Sequence, residues 1–143
     1  MKIPAKLDYA YKAIVELSVR YKGDSPVQLS AISEAQNIPK KFLIQLLLRL
    51  KAANIVDSSR GIAGGYRLTR PPSQISFADV TRAIDDSAIE APKEPKGAKA
   101  SDTDKAIARI WGSVARDTAK RLEGITFDKL ISQINGQHFT YQI

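Results

Sequence analysis

At 143 residues the chain has the length of one domain, or of a small domain with an appendage, and a core of that size needs no disulfide or metal staple. It contains no cysteine, which excludes disulfides, thiolate metal sites, cysteine nucleophiles and all-cysteine iron–sulfur ligation. The net charge of +7 is uneven: residues 1–72 hold 12 Lys and Arg against 5 Asp and Glu, whereas residues 73–143 hold 10 of each. A positive excess confined to one half points to a polyanionic partner, because each phosphate neutralised releases counterions. The opening Met1-Lys2-Ile3-Pro4-Ala5-Lys6 has no apolar signal core. No run approaches the roughly 18 apolar residues of a membrane span, so a soluble, cytoplasmic protein is expected.

Leu7, Ala10, Ile14, Leu17 and Tyr21 recur at three- and four-residue steps, which predicts an amphipathic helix over 4–21. Gly23-Asp24-Ser25-Pro26 breaks it. A short second helix over 29–35 turns Leu29 and Ile32 inward. Gln36-Asn37-Ile38-Pro39 is a tight turn, since Asn37 tolerates a left-handed backbone and Pro39 suits the first turn of a helix. The third helix, over 39–54, buries Leu43, Leu46, Leu47 and Leu50 and leaves Lys40, Lys41, Ile44, Gln45, Leu48, Arg49 and Lys51 on its other faces. The short interval between these helices suits a helix-turn-helix, whose second helix meets base edges with its N-terminal residues. Lys40, Lys41, Ile44 and Gln45 are the candidates there, with Arg49 farther along. Lysine donates to phosphate or guanine, and glutamine pairs with adenine in bidentate fashion.

Two short strands, 55–59 and 66–69, flank the tip Arg60-Gly61-Ile62-Ala63-Gly64-Gly65. The glycines Gly61, Gly64 and Gly65 allow a sharp turn and close approach to another surface, and Arg60 beside them suits a minor groove. No Gly-Lys-Ser/Thr ending follows, so this is not a nucleotide phosphate loop. Alone the tip is a plain hairpin turn; placed just after a basic helix it outlines a winged helix-turn-helix.

Ser76 with Asp79 three residues on predicts the start of a fourth helix, with Val80 and Ile84 inward. Residues 85–101, rich in Pro, Lys, Glu and Ala, read as a mobile loop. The longest periodic segment spans 102–123, with Ile107, Ile110, Trp111, Val114, Thr118 and Leu122 in one stripe and Gly124 at its end. It exceeds what a small winged-helix core needs, so it serves as a dimer seam or packs on its own domain. Thr126 opens a last short helix carrying Phe127, Leu130, Ile131 and Ile134, stopped by Gly136. The tail 137–143 holds His138, the single histidine, as an incidental residue. The expected fold is mainly α with a small β-hairpin wing: a winged helix-turn-helix over 1–84, a loop over 85–101, and a dimerisation helix with a packing helix over 102–136.

Leu7-Asp8-Tyr9-Ala10, Phe42-Leu43-Ile44-Gln45-Leu46-Leu47 and Ser59-Arg60-Gly61-Ile62-Ala63-Gly64-Gly65-Tyr66-Arg67-Leu68, the last running through Pro71-Pro72 to Ile75-Ser76-Phe77-Ala78-Asp79-Val80, together resemble the Rrf2 family of bacterial transcription regulators. The resemblance covers about residues 1–134. It implies a homodimeric winged helix-turn-helix repressor or activator, with the helix from Lys40 in the major groove and Arg60 with the glycine tip in the minor groove. Where cluster-binding members carry a glutamate in the recognition helix, this chain has Ile44, which can touch thymine methyl groups. Many members hold an iron–sulfur cluster on three cysteines before the dimerisation helix; the corresponding loop here, 86–104, has none. Ala108 stands where some members use a histidine, and Asp8 where one branch uses an aspartate. One carboxylate without thiolates cannot hold a cluster, so no cofactor is expected.

The expected function is therefore sequence-specific DNA binding by a homodimer, with repression the expected mode. A second reading is a winged-helix interaction module controlled by a partner protein. An enzyme is disfavoured because no nucleophile–base pairing is visible. Two readings of the trigger stand open: an unidentified small-molecule or protein effector, with Trp111 and Phe77 as candidate lining of a small-molecule pocket, or a ligand-free protein controlled by its abundance.

Overall fold

Pro4 starts the first helix because its fixed φ suits a helix entrance and its missing N–H is no loss there; its carbonyl accepts the amides of Leu7 and Asp8, both at 3.0 Å. The computed structural model describes residues 1–23, 25–97 and 99–141, with 137–141 as backbone. Helix α1 (Ala5–Val19) buries Leu7, Ala10, Ala13, Ile14 and Leu17. It is the central element, touching the helices before and after the wing as well as the second strand of the wing. Tyr21, expected on this stripe, lies past the helix end and is exposed. Its amide bonds the Ser18 carbonyl three residues back, so the chain has already tightened out of the α register.

Helices α2 (Leu29–Gln36) and α3 (Lys40–Ala52) follow, joined by Asn37 in the left-handed conformation (φ 53°, ψ 49°) and by the buried Ile38. Ser33 closes the turn, its hydroxyl donating to the Ile38 carbonyl at 2.6 Å. A second left-handed asparagine, Asn54 (φ 60°), ends α3 and sends the chain into an antiparallel hairpin of β1 (Val56–Ser59) and β2 (Gly65–Leu68). The register pairs Val56 with Leu68, and both are buried, so the root of the hairpin belongs to the core. Val27, between α1 and α2, forms a further antiparallel bridge with Tyr66. One bridged residue leaves no periodic mark, so this third strip is invisible in the sequence pattern.

After a 3-10 turn (Pro72–Gln74) comes α4 (Phe77–Asp85), opened by the expected cap. The Ser76 hydroxyl accepts the Asp79 amide at 3.0 Å and the Asp79 carboxylate accepts the Ser76 amide at 2.9 Å. Residues 86–88 make a 3-10 turn, and the irregular stretch beyond it is anchored by Ile89, which is buried despite its polar neighbourhood. A second capping box, Ser101 with Asp104, opens the long α5 (Asp102–Glu123). Helix α6 (Phe127–Tyr141) runs through Gly136, where a stop was expected. An interior glycine costs only about 1 kcal/mol relative to alanine, and so weakens a helix without ending it. The His138 side chain lies outside the described part.

The C-terminal helices are fastened to the N-terminal ones by rings. Phe77 stacks on Phe127 with centroids 4.6 Å apart and planes 7° from parallel, and Tyr11 lies 4.7 Å from Phe77. Backbone bonds from Phe77 N–H to the Ile125 carbonyl (2.9 Å) and from Phe127 N–H to the Ile75 carbonyl (3.1 Å) frame the cluster. The Tyr11 hydroxyl meets the Thr81 hydroxyl at 2.5 Å; burial pushes the phenol up, and that bond opposes the shift. The two residues expected to line an effector pocket stand in different settings: the Phe77 ring packs on Phe127 and Tyr11, whereas Trp111 is exposed on α5. Among the described residues no helix is long and apolar enough to cross a membrane.

Phe127 is fully buried at this junction, so Phe127→Ala is expected to remove about 3–5 kcal/mol of stability, seen as a lower midpoint in urea unfolding.

Candidate nucleic-acid interface

Helix α3 has two unlike sides. Leu43, Leu46, Leu47 and Leu50 form a buried ridge against α1 and α4, which leaves Lys40, Lys41, Ile44, Gln45 and Leu48 outward. Between Glu34 and Asp57 the chain carries no carboxylate, so Lys40, Lys41, Arg49 and Lys51 are not locally neutralised. Lys40 and Lys41 also occupy the first turn, where the helix dipole is positive and a cation costs about 0.3–1 kcal/mol. Stability alone would place acids there. Two lysines beside free helix amides instead make a strongly anion-seeking end, and neither lysine has an ion-pair or hydrogen-bond partner among the described residues.

The outward side is also apolar. Phe42 is 55% exposed and Leu48 57% exposed, flanking the partly exposed Ile44. Phe42 is braced by Tyr9, whose ring lies stacked 6.4 Å away. Phe42 and Leu48 belong to this surface; the leucine spacing leaves Leu48 outward, but neither stands out in the sequence as a candidate contact.

Arg49 has a structural role that the sequence does not show. Its guanidinium donates to the Ile84 carbonyl at 2.7 Å, at the C-terminal end of α4, where cations suit the dipole. It ties α3 to α4. Lys51 is likewise engaged, donating to the Ser58 hydroxyl of β1 at 2.6 Å and holding the hairpin alongside α3.

The three glycines of the wing are required for different reasons. Gly61 has φ +105°, a left-handed backbone, with open space where a Cβ would stand. At Gly64 a Cβ would lie 2.3 Å from the Ser59 carbonyl oxygen. At Gly65 it would lie 2.4 Å from the Val27 carbonyl oxygen, where β2 meets the bridging strip. The result is a tight loop that presents Arg60 and Ile62 outward; Ile62 is 98% exposed, an apolar tip that no spacing rule singles out. The base of the wing is held by Arg70, which donates to the Gln74 and Asn54 carbonyls (2.9 and 3.2 Å), and by the Thr69 hydroxyl bonded to Asn54 (2.7 Å).

A second surface lies on α5. Ile107, Ile110, Trp111 and Val114 are 50–65% exposed, while Thr118 and Leu122 are half-buried. The apolar stripe is thus mostly uncovered by its own chain. Asp8 is ion-paired with Lys12 at 2.7 Å, and among the described residues no three His, Cys, Asp or Glu side chains gather into a metal site. With no thiolate in the chain, this donor set does not fit an iron–sulfur cluster.

Gly64→Ala and Gly65→Ala are expected to lower the thermal midpoint well beyond Gly61→Ala, whose cost is about 1–2 kcal/mol from backbone handedness alone. Arg49→Ala is expected to lower the midpoint by removing the bond to α4 while leaving the salt dependence of DNA binding unchanged.

The profile of the Rrf2 family, described as iron-dependent transcriptional regulators, matches residues 3–133. The HTH-type transcriptional regulator IscR of Vibrio vulnificus is 33% identical over 132 residues, covering 92% of this chain and 78% of that protein. The HTH-type regulator CymR of Bacillus subtilis is 31% identical over 142 residues, covering 99% and 97%. Among solved structures, IscR of T. potens superposes with a TM-score of 0.74 at 27% identity, covering 94% of this chain and 88% of that one. CymR of B. subtilis, the global cysteine regulator of that organism, gives 0.72 at 27% identity, covering 93% and 98%. The similarity runs over almost the whole length, and the chain belongs to the Rrf2 family.

Proposed function

We propose that the protein is a sequence-specific DNA-binding transcription regulator that acts as a cytoplasmic homodimer and represses by occupying its operator. The observation that carries this reading is the unneutralised cationic first turn of α3 beside a wing whose tip is built to approach another surface closely. Lys40 and Lys41 grip phosphates at the major-groove edge, Ile44 and Gln45 meet base edges, and Arg60 with Gly61, Gly64 and Gly65 follows the minor groove. The named relatives, all transcriptional regulators, support the same reading. The uncovered stripe Ile107, Ile110, Trp111, Val114, continued by Thr118 and Leu122, is the proposed seam between protomers, since a self-complementary helix face suits two-fold pairing. The chain works without the thiolate-held cluster, and its effector is a small molecule or a protein.

Lys40→Ala, Lys41→Ala and Arg60→Ala should each flatten the log–log salt slope by about 0.9 for every phosphate the variant no longer neutralises. Gln45→Ala should instead relax the preferred base by about 1–3 kcal/mol. Binding isotherms on a duplex selected from a random library read both effects, and a parent protein that shows no sequence preference would sink the reading. Trp111→Asp together with Ile110→Asp should convert the dimer to monomer in sedimentation at micromolar concentration, with a matching loss of affinity for a palindromic site.

A further inference from the structure

Gln28 stands at the N-cap of α2, where a serine, threonine, aspartate or asparagine ordinarily turns back to the helix amides. Its side chain makes no such bond. It reaches across to the wing, where Nε2 donates to the Ile62 carbonyl at 3.3 Å. Among the described residues this is the one side-chain hydrogen bond made to the tip, residues 60–64.

The neighbourhood divides into a fixed base and a freer tip. At the base, Val27 N–H donates to the Tyr66 carbonyl and Tyr66 N–H to the Val27 carbonyl, both at 2.8 Å. Gly65 lies so close to Val27 that no Cβ fits. Beyond that base the tip has little to hold it: no atom lies within 4 Å of a Cβ placed on Gly61, and Ile62 is nearly fully exposed. The link from Gln28 therefore falls where backbone pairing stops. We infer that Gln28 is a positioning residue: its amide ties the wing tip to the first helix of the helix-turn-helix and so sets where Arg60 and Ile62 stand relative to α3. This inference rests on the DNA-reading function proposed above.

The neutral charge of Gln28 makes this role separable from a direct DNA contact. A neutral side chain that merely touched DNA would weaken binding on removal and leave the salt slope intact. A neutral side chain that places Arg60 would flatten the slope, because a cation leaves the DNA with it. The test compares the full-length parent, Gln28→Met, Arg60→Ala and the double variant on the parent's selected duplex over a salt series, with thermal melting alongside. Gln28→Met is expected to weaken binding about two- to tenfold, to move the slope toward that of Arg60→Ala, and to melt like the parent. The double variant is expected to bind no more weakly than Arg60→Ala alone, since coupled residues are not additive. A parent-like slope for Gln28→Met alongside a flattened one for Arg60→Ala overturns the inference and leaves the DNA reading intact. Additive losses in the double variant overturn it equally. A parent-like Arg60→Ala removes the wing contact and with it this role for Gln28, while reading through α3 stands. A parent that binds no duplex overturns the DNA reading and this inference together.

Discussion

The arrangement depends on a close approach of two backbones. Val27 and Tyr66 exchange a pair of 2.8 Å hydrogen bonds, and the residue next to Tyr66 must be glycine because a Cβ would meet the Val27 carbonyl. That approach converts a two-stranded hairpin, marginal on its own in water, into a hairpin seated on the segment between α1 and α2. The buried pair Val56–Leu68 roots it from below, and Arg70 with Thr69 fastens it to the end of α3. The root of the wing is therefore fixed against the core and the end of α3, and the tip with Arg60 projects from that base.

Helix α3 carries the opposite kind of requirement. Its inner ridge is ordinary, four buried leucines. Its outer first turn places two lysines at the wrong end of a helix dipole, with no carboxylate nearby. A local conflict of this sort persists when the remainder of the structure overrides it, and such conflicts gather where a partner supplies the missing charge. Arg49 and Lys51, on the same helix, show the contrast: near its C-terminal end the cations are already occupied, by α4 and by β1.

The C-terminal half is neutral and is held differently. Aromatic stacking of Phe77, Phe127 and Tyr11 joins α1, α4 and α6, and Arg82 pairs with Glu123 at 2.7 Å to bring α5 alongside. Helix α5 is capped by its own Ser101–Asp104 box and then presents most of its apolar stripe outward. A helix that long gains its stability from an amphipathic face that must be covered, and within one chain this face is not.

Sequence alone determined the elements and their order. The leucine spacing of α3, Asn37 in the turn, the Ser76–Asp79 cap and the glycine cluster are local signals, carried by residues whose conformational preferences act within a few positions. Those same signals, set against the one-sided charge, marked Lys40, Lys41 and Arg60 as candidate DNA contacts. Tertiary structure alone decided which residues were already engaged. Arg49 is bonded to a carbonyl 35 positions away, Gln28 to one 34 positions away, and Gly65 is glycine because of Val27. It decided as well that Phe77 joins a ring stack, that Trp111 faces outward, and that Gly136 does not end α6. Periodicity reports the face of an element that is apolar; what lies against that face is set by chain crossings that leave no mark on the residues in between.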